Sequence, residues 1–319
     1  MIIRTISADL KPSEIGRVNY HEHAFHTSPL LVNEDLNDLT KSTKEFMRLR
    51  ESGFESYVDA TPIGLGRNMR DILKLQETAS LHIIHTTGVH REAHYVNSHP
   101  VCNLTIKELT ALFKYEIEIG ALVNDRQINI LQGNTSRVKA GLVKFGIGLN
   151  KISSFEGRAL DAAAILSTQL GVAIMVHLES GTSAHEVLNK LESFGCDLSK
   201  VALAHLDRKP DPSFHVELAS RGAMLGHDGA GRSKYFSDSV LIELFKKVVT
   251  AGYGSKILLG ADVARKSRYI EYGGGPGLEY LGRKFIPELV RATSEEIVNE
   301  VLTTNPQGWL AFTPAVTSA

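Results

Sequence analysis

The chain has 319 residues, with 35 Lys plus Arg against 36 Asp plus Glu, 43% hydrophobic residues and a formal net charge of −1. This is too apolar and too balanced for a disordered chain, and the near-zero charge gives no electrostatic case for a nucleic-acid or membrane-surface partner. Two distant cysteines, Cys102 and Cys196, exclude a disulfide scaffold and a cysteine zinc ribbon.

The opening MIIRTISADLKP has no apolar leader core, and no run approaches the roughly 18 apolar residues of a membrane span. The expectation is a cytoplasmic globular protein, with residues 1–319 forming one domain. A first strand is expected near 16–21. Short apolar runs follow at 54–60, 81–87, 140–146, 172–178, 201–205, 222–227 and 256–262. Helical-period stretches, among them 67–80, 105–120, 156–170, 183–194, 237–251 and 279–291, lie between or after them. Continuously apolar strands alternating with helices indicate a parallel sheet. Eight such units predict an α/β fold, a closed (β/α)8 TIM barrel. A dinucleotide fold is disfavoured, because Gly64-Leu65-Gly66 lacks the third glycine and is not in the first unit. The cluster Gly273-Gly274-Gly275-Pro276-Gly277 predicts a mobile loop, and Trp309 is expected to pack the C-terminal segment on the barrel wall.

Barrel chemistry sits where strands end. The first strand ends in His21-Glu22-His23 and the fourth carries Lys144. The fifth ends in His177, and the sixth in His205, followed by Asp207. The seventh ends in His227-Asp228 and the eighth in Asp262. Each is weak alone: a strand-end histidine is more often a hydrogen-bonded structural residue, and a lone Asp262 suits a loop cap. Convergence of four histidines and one aspartate on one axis is the signal. Alternate strand residues share a side, so His21 and His23 can hold one ion. Imidazole with carboxylate is a ligand set for zinc and similar divalent ions. Lys144 has two readings. It is a Schiff-base nucleophile with its pKa lowered by burial, or an amine carboxylated by carbon dioxide that bridges two metals. The surrounding histidines favour the second. Lys139 lies just before the strand and is the weaker candidate.

Tyr20-His21-Glu22-His23, Ala140-Gly141-Leu142-Val143-Lys144, Val176-His177, Ala204-His205-Leu206-Asp207, Leu259-Gly260-Ala261-Asp262 and Thr304-Asn305-Pro306 follow one another along nearly the whole chain. In this order they resemble the phosphotriesterase-like family of the amidohydrolase superfamily. The resemblance implies a binuclear centre of two divalent ions, zinc by preference. His21, His23 and Asp262 would hold one ion, and His177 and His205 the other. Carboxylated Lys144 and a hydroxide would bridge them. The hydroxide would attack and Asp262 would shuttle its proton to the leaving alkoxide, with Asp207 as a supporting partner or relay. Family members are often dimers, so a homodimer is expected.

The loops after the last two strands carry Arg232, Lys234 and Tyr235, then Arg265, Lys266 and Arg268. Five cations in a nearly neutral chain suit a phosphate, and barrel phosphate sites use these loops; a solvated basic rim is the plainer reading. The expected activity is hydrolysis of a small phosphorylated sugar lactone, with no nucleic acid or membrane as partner. Alternatives are a broad carboxylesterase or lactonase, a weak phosphotriesterase and, more distantly, an aldolase working through Lys144. Two departures stand out. His90 occupies the region where many lactonase relatives carry tyrosine, making it a candidate substrate contact. Gly229 stands where efficient triesterases carry histidine. His26, His185 and His215 are expected at the surface, and His90 with His94 is not expected to form a second zinc site.

Overall fold

A short antiparallel hairpin, β1 (Ile3–Arg4) and β2 (Asp9–Leu10), leads into eight strands that pair strictly in parallel. They are β3 (Val18–Glu22), β4 (Ser56–Asp59), β5 (His82–Gly88), β6 (Leu142–Ile147), β7 (Ala173–Leu178), β8 (Val201–Ala204), β9 (Met224–His227) and β10 (Ile257–Leu259). Each pairs with its neighbour in sequence. The Asp262 amide, just past β10, donates to the His21 carbonyl at 3.0 Å and brings the last strand against the first. The computed structural model describes residues 1–95, 99–124, 128 and 135–314 and forms a nearly closed (β/α)8 barrel.

Helices α1 (Leu39–Glu51), α2 (Met69–Ala79), α3 (Ile106–Glu118), α4 (Ser154–Leu170), α5 (Ala184–Ser193), α6 (Pro212–Ser220), α7 (Asp238–Thr250) and α8 (Ile286–Ala292) follow the successive strands. Then come α9 (Glu295–Leu302) and α10 (Thr304–Leu310). Their starts are encoded locally. Thr105 with Glu108 and Ser153 with Glu156 form capping boxes, and Asp38 and Asn68 cap α1 and α2. No described helix is long and apolar enough to cross a membrane.

The strands are buried on both faces, which is why they read as continuous apolar runs. One core lies between strands and helices. A second fills the barrel: Val18, Tyr20, Val58, Ile84, Leu142, Met175 and Leu258 meet over Trp309. Trp309 therefore closes the bottom of the barrel, and its indole N–H donates to the carbonyls of Ile174 (3.3 Å) and Lys200 (3.1 Å). The glycine cluster is tied down by backbone hydrogen bonds. Gly274, Gly275 and Gly277 donate to the carbonyls of Tyr269, Ser267 and Arg268 at 2.8, 3.1 and 2.9 Å, which folds the segment into a bonded turn.

Simple alternation is broken at the barrel top. Between Asn19 and Glu22, β3 gains one residue relative to β4. This bulge lets Tyr20 stay in the barrel core while His21 also reaches the axis. His205 and Asp262 have φ of 63° and 45°, the left-handed region that side chains rarely adopt. Such backbone is held only where surrounding contacts over-determine it.

Candidate metal centre and active site

Fixed acceptors set the tautomers of three strand-end histidines. The His205 Nδ1 lies 2.6 Å from Asp228 Oδ1, and the His21 Nδ1 lies 3.1 Å from Asp228 Oδ2. The His23 Nδ1 lies 2.8 Å from the Thr61 hydroxyl, whose own proton goes to Phe25 O or Asp59. These groups accept, so each Nδ1 carries a proton, and in the neutral ring Nε2 keeps a lone pair. Burial pushes His23 down to about 4 and His205 to about 3, so both stay neutral, the form that ligates a metal.

These Nε2 atoms converge. Those of His21 and His23 lie 3.5 and 3.4 Å from Asp262 Oδ1. That of His205 faces the His177 Nδ1 at 2.7 Å, and the Lys144 Nζ lies 3.4 Å from the His21 Nε2. His21, His23 and Asp262 offer donor atoms all within 4.8 Å of one another, a group that could hold a cation. Asp228 makes a similar group with His21 and His205, the two histidines it accepts from. The donor set is neutral imidazole plus carboxylate, which fits a divalent transition ion.

Asp228 ties His21 and His205 together from below. It accepts from His21, from His205 and, at 2.5 Å, from the Tyr20 hydroxyl. Gly226 makes this possible, because a Cβ there would lie 2.3 Å from the Tyr20 hydroxyl oxygen. Burial would raise Asp228, but His205 and His21 outweigh it and hold the carboxyl well below its ordinary range. Neither residue was singled out for a role from the sequence. For Asp228 there was a signal, since it lies two residues beyond inward-facing Gly226.

A cavity of about 780 Å³ opens above these groups. Arg232, Lys234, Tyr235, Arg265 and Arg268 line it, as does His90. Arg208, unforeseen, lines it too. It stacks on Tyr235, 4.9 Å from the ring centre, and lies 3.2 Å from Asp262 Oδ2. Arg232 lies 2.9 Å from the same oxygen. Burial would raise Asp262, but Arg232 and the two histidines His21 and His205 hold it well below the carboxylate range. On another side, His90, His94 and Arg91 border the cavity with Glu179, which bridges Arg91 (3.2 Å) and the His177 Nε2 (3.5 Å).

Some expectations fall elsewhere. Asp207 does not line this cavity; its Oδ2 accepts from the Gly229 amide at 2.6 Å, so it anchors the loop that carries Asp228. Lys266 is also off the cavity lining, with its amide on the Glu34 carbonyl. His26 and His215 are buried, not at the surface. His26 borders the cavity beside His23, and His215 joins His227 at 3.1 Å behind β9. Their helix and loop contexts hid this, because tertiary packing covers them.

The fold and the site together define a metal-type hydrolase barrel. The phosphotriesterase family model matches residues 1–310, so the chain belongs to the phosphotriesterase family, whose members are metal-dependent hydrolases. It is 31% identical to a phospho-furanose lactonase of Mycoplasmopsis synoviae, over 97% of this chain and 91% of that one. It superposes on a crystal structure of a lactonase from Listeria monocytogenes with a TM-score of 0.89 at 28% identity, covering 98% of this chain and 100% of that one. An amidohydrolase from Mycoplasma synoviae gives 0.92 at 29% identity, covering 98% and 92%. The chain is a hydrolase of small molecules.

Proposed function

We propose that the protein is a binuclear metal-dependent lactonase that opens a small sugar lactone carrying a phosphate. One observation carries this reading: three Nε2 lone pairs with fixed tautomers and a cluster of guanidinium groups border the same cavity.

His21, His23 and Asp262 would hold one cation and His177 and His205 the other, with Lys144, carboxylated on Nζ, between them. Zinc suits these donors. Two such cations, when bound, supply polarisation of the lactone carbonyl and a lowered pKa for the attacking water. Burial pushes Lys144 down to about 8, so the free amine that reacts with carbon dioxide is accessible near neutral pH. Asp262 accepts the proton of the attacking water and delivers it to the ring oxygen that leaves as a hydroxyl. Arg208 and Arg232, facing Asp262 Oδ2, set how basic that oxygen is. Asp228 keeps His21 and His205 in the ligating tautomer. The His90 Nδ1 accepts the Arg91 amide at 2.8 Å, so the neutral ring carries its proton on Nε2 and can donate to the substrate. Arg232, Lys234, Arg265 and Arg268 bind the phosphate, with Tyr235 supporting Arg208.

The test is hydrolysis of sugar lactones with and without a 5-phosphate, by enzyme reconstituted with zinc in bicarbonate and followed with a pH indicator. Strong preference for the phosphorylated members is expected. Equal rates would remove the phosphate and leave a broad lactonase or esterase. Faster turnover of a phosphotriester than of any lactone would overturn the reading. His177→Ala should lower metal content and hydrolysis together; full metal content in that variant would contradict its place at the second ion.

A further inference from the structure

The cavity has a second wall of opposite chemistry. Leu30, Leu31 and Val32, in the loop after β3, line it together with the arginines. Leu30 is 44% and Val32 75% exposed. Single exposed aliphatics are ordinary, but three in a row at the mouth of a polar site form a patch. Nor is this a loose segment. The Leu31 and Glu34 amides close turns at 2.9 and 3.2 Å, and His26 and Leu36 exchange backbone bonds of 3.0 and 2.8 Å across its base. Glu34 accepts from the Ser267 amide (3.0 Å) and hydroxyl (2.8 Å), which fastens the loop to the basic segment after β10. The apolar wall is thus held beside the cationic one. On the cationic side, Arg208 Nε, Arg232 Nε and Arg268 Nη2 are buried without hydrogen-bond partners among the described residues.

The cavity is also large. About 780 Å³ lies in the upper part of the range of about 300–1,000 Å³ that encloses drug-sized ligands. A phosphorylated five-carbon lactone is much smaller than that.

We propose that Leu30, Leu31 and Val32 form a subsite for an apolar group of the substrate. The substrate is then a phosphorylated lactone that also bears an alkyl or aryl substituent. Its anion lies on the arginines and its hydrocarbon on the aliphatic wall. This rests on the reading above that the arginines hold an anion, and it narrows the substrate class within that reading. Transfer of the substituent from water to the wall supplies affinity in proportion to the area covered.

Binding of alkylphosphonates, methyl to hexyl, tests this without requiring turnover. Calorimetry on the zinc-loaded full chain should show Kd falling about twofold per methylene, about half the logarithmic effect of complete burial, and so roughly thirtyfold across the series. The double variant Leu31→Ser, Val32→Ser should flatten that slope. Val240→Ser, an exposed aliphatic on α7, should leave it intact. A flat series in the unaltered protein, or a slope that survives the double variant, overturns the subsite. So does conversion of a dimer to a monomer by the double variant in sedimentation, which would make the wall a contact between copies. Failure of every phosphonate to bind, methylphosphonate included, refutes instead the cationic reading beneath it.

Discussion

At the bottom of the barrel, Val18, Tyr20, Leu142, Met175 and Leu258 meet Trp309 in a dry core, each reached by strict alternation along its strand. At the top, Lys144 and His177 continue the alternation of β6 and β7, but the other side chains that converge come from interrupted backbone. His21 follows a bulge, His205 and Asp262 sit at positive φ, and Gly260 to Asp262 run on past the end of β10. The lower half is the solution of a packing problem and is stabilised by burial. The upper half gathers neutral imidazoles, a buried lysine and ionised carboxylates, an arrangement that costs free energy without a ligand. Stability and chemistry are therefore separable by position along the same strands.

The largest expected effect falls on the upper half. Lys144→Ala should cut hydrolysis by at least about a thousandfold, since charge stabilisation by metals is worth several kcal/mol. Unfolding midpoints should change far less. Metal analysis beside a rate assay checks this, and near-normal turnover would remove Lys144 from the centre. Trp309→Ala acts on the lower half. It should cost about 3–5 kcal/mol in denaturant unfolding, while metal content per folded chain stays the same. If metal binding falls with it, the two halves are not separable.

Asp228→Asn probes the joint between them. Asn keeps one carboxyl-like oxygen and so cannot accept from both His21 and His205 as Asp228 does. Metal affinity should drop about 10- to 100-fold, read by competition with a chelator, and for both ions together. Loss of only one ion would mean that Asp228 supports the ligands of that ion alone.

The smallest effect sharpens the comparison from outside the barrel. Glu116 on α3 is buried and takes two bonds from Arg67, at 2.8 and 2.5 Å, and one from Thr87 at 2.7 Å. Burial alone would raise its pKa, but Arg67 and Thr87 hold it below the ordinary value. A depressed folded pKa contributes stability above the unfolded value of about 4.3, which is lost as pH falls through the folded one. Unfolding of the wild type between pH 5 and pH 3 should therefore lose stability that Glu116→Gln does not lose. Parallel curves would show that the pair contributes nothing to acid sensitivity.

Much of this architecture was legible in the residues. The eight strands lie within about three residues of their expected positions at either end, because continuous apolar runs between capped helices have no better arrangement. The same logic places the strand-end histidines, Lys144 and Asp262 around one axis, where their side chains meet. The parity argument for His21 and His23 needed the bulge to succeed, since unbroken alternation from Val18 and Tyr20 would have turned both away from the axis. His26 and His215 were misread because polarity in a loop or helix does not report what packs over it.

Sequence alone determined the period of the fold and the chemical types at the strand ends, since both depend on local spacing and residue identity. Tertiary structure alone decided which of those groups share hydrogen bonds. Asp228 beneath His21 and His205, Arg208 beside Asp262, Asp207 turned to the Gly229 amide, and an aliphatic loop fastened next to a basic one are contacts across many residues of separation. Whether two distant groups meet depends on how the barrel closes, and barrel closure is a property of all eight strands at once.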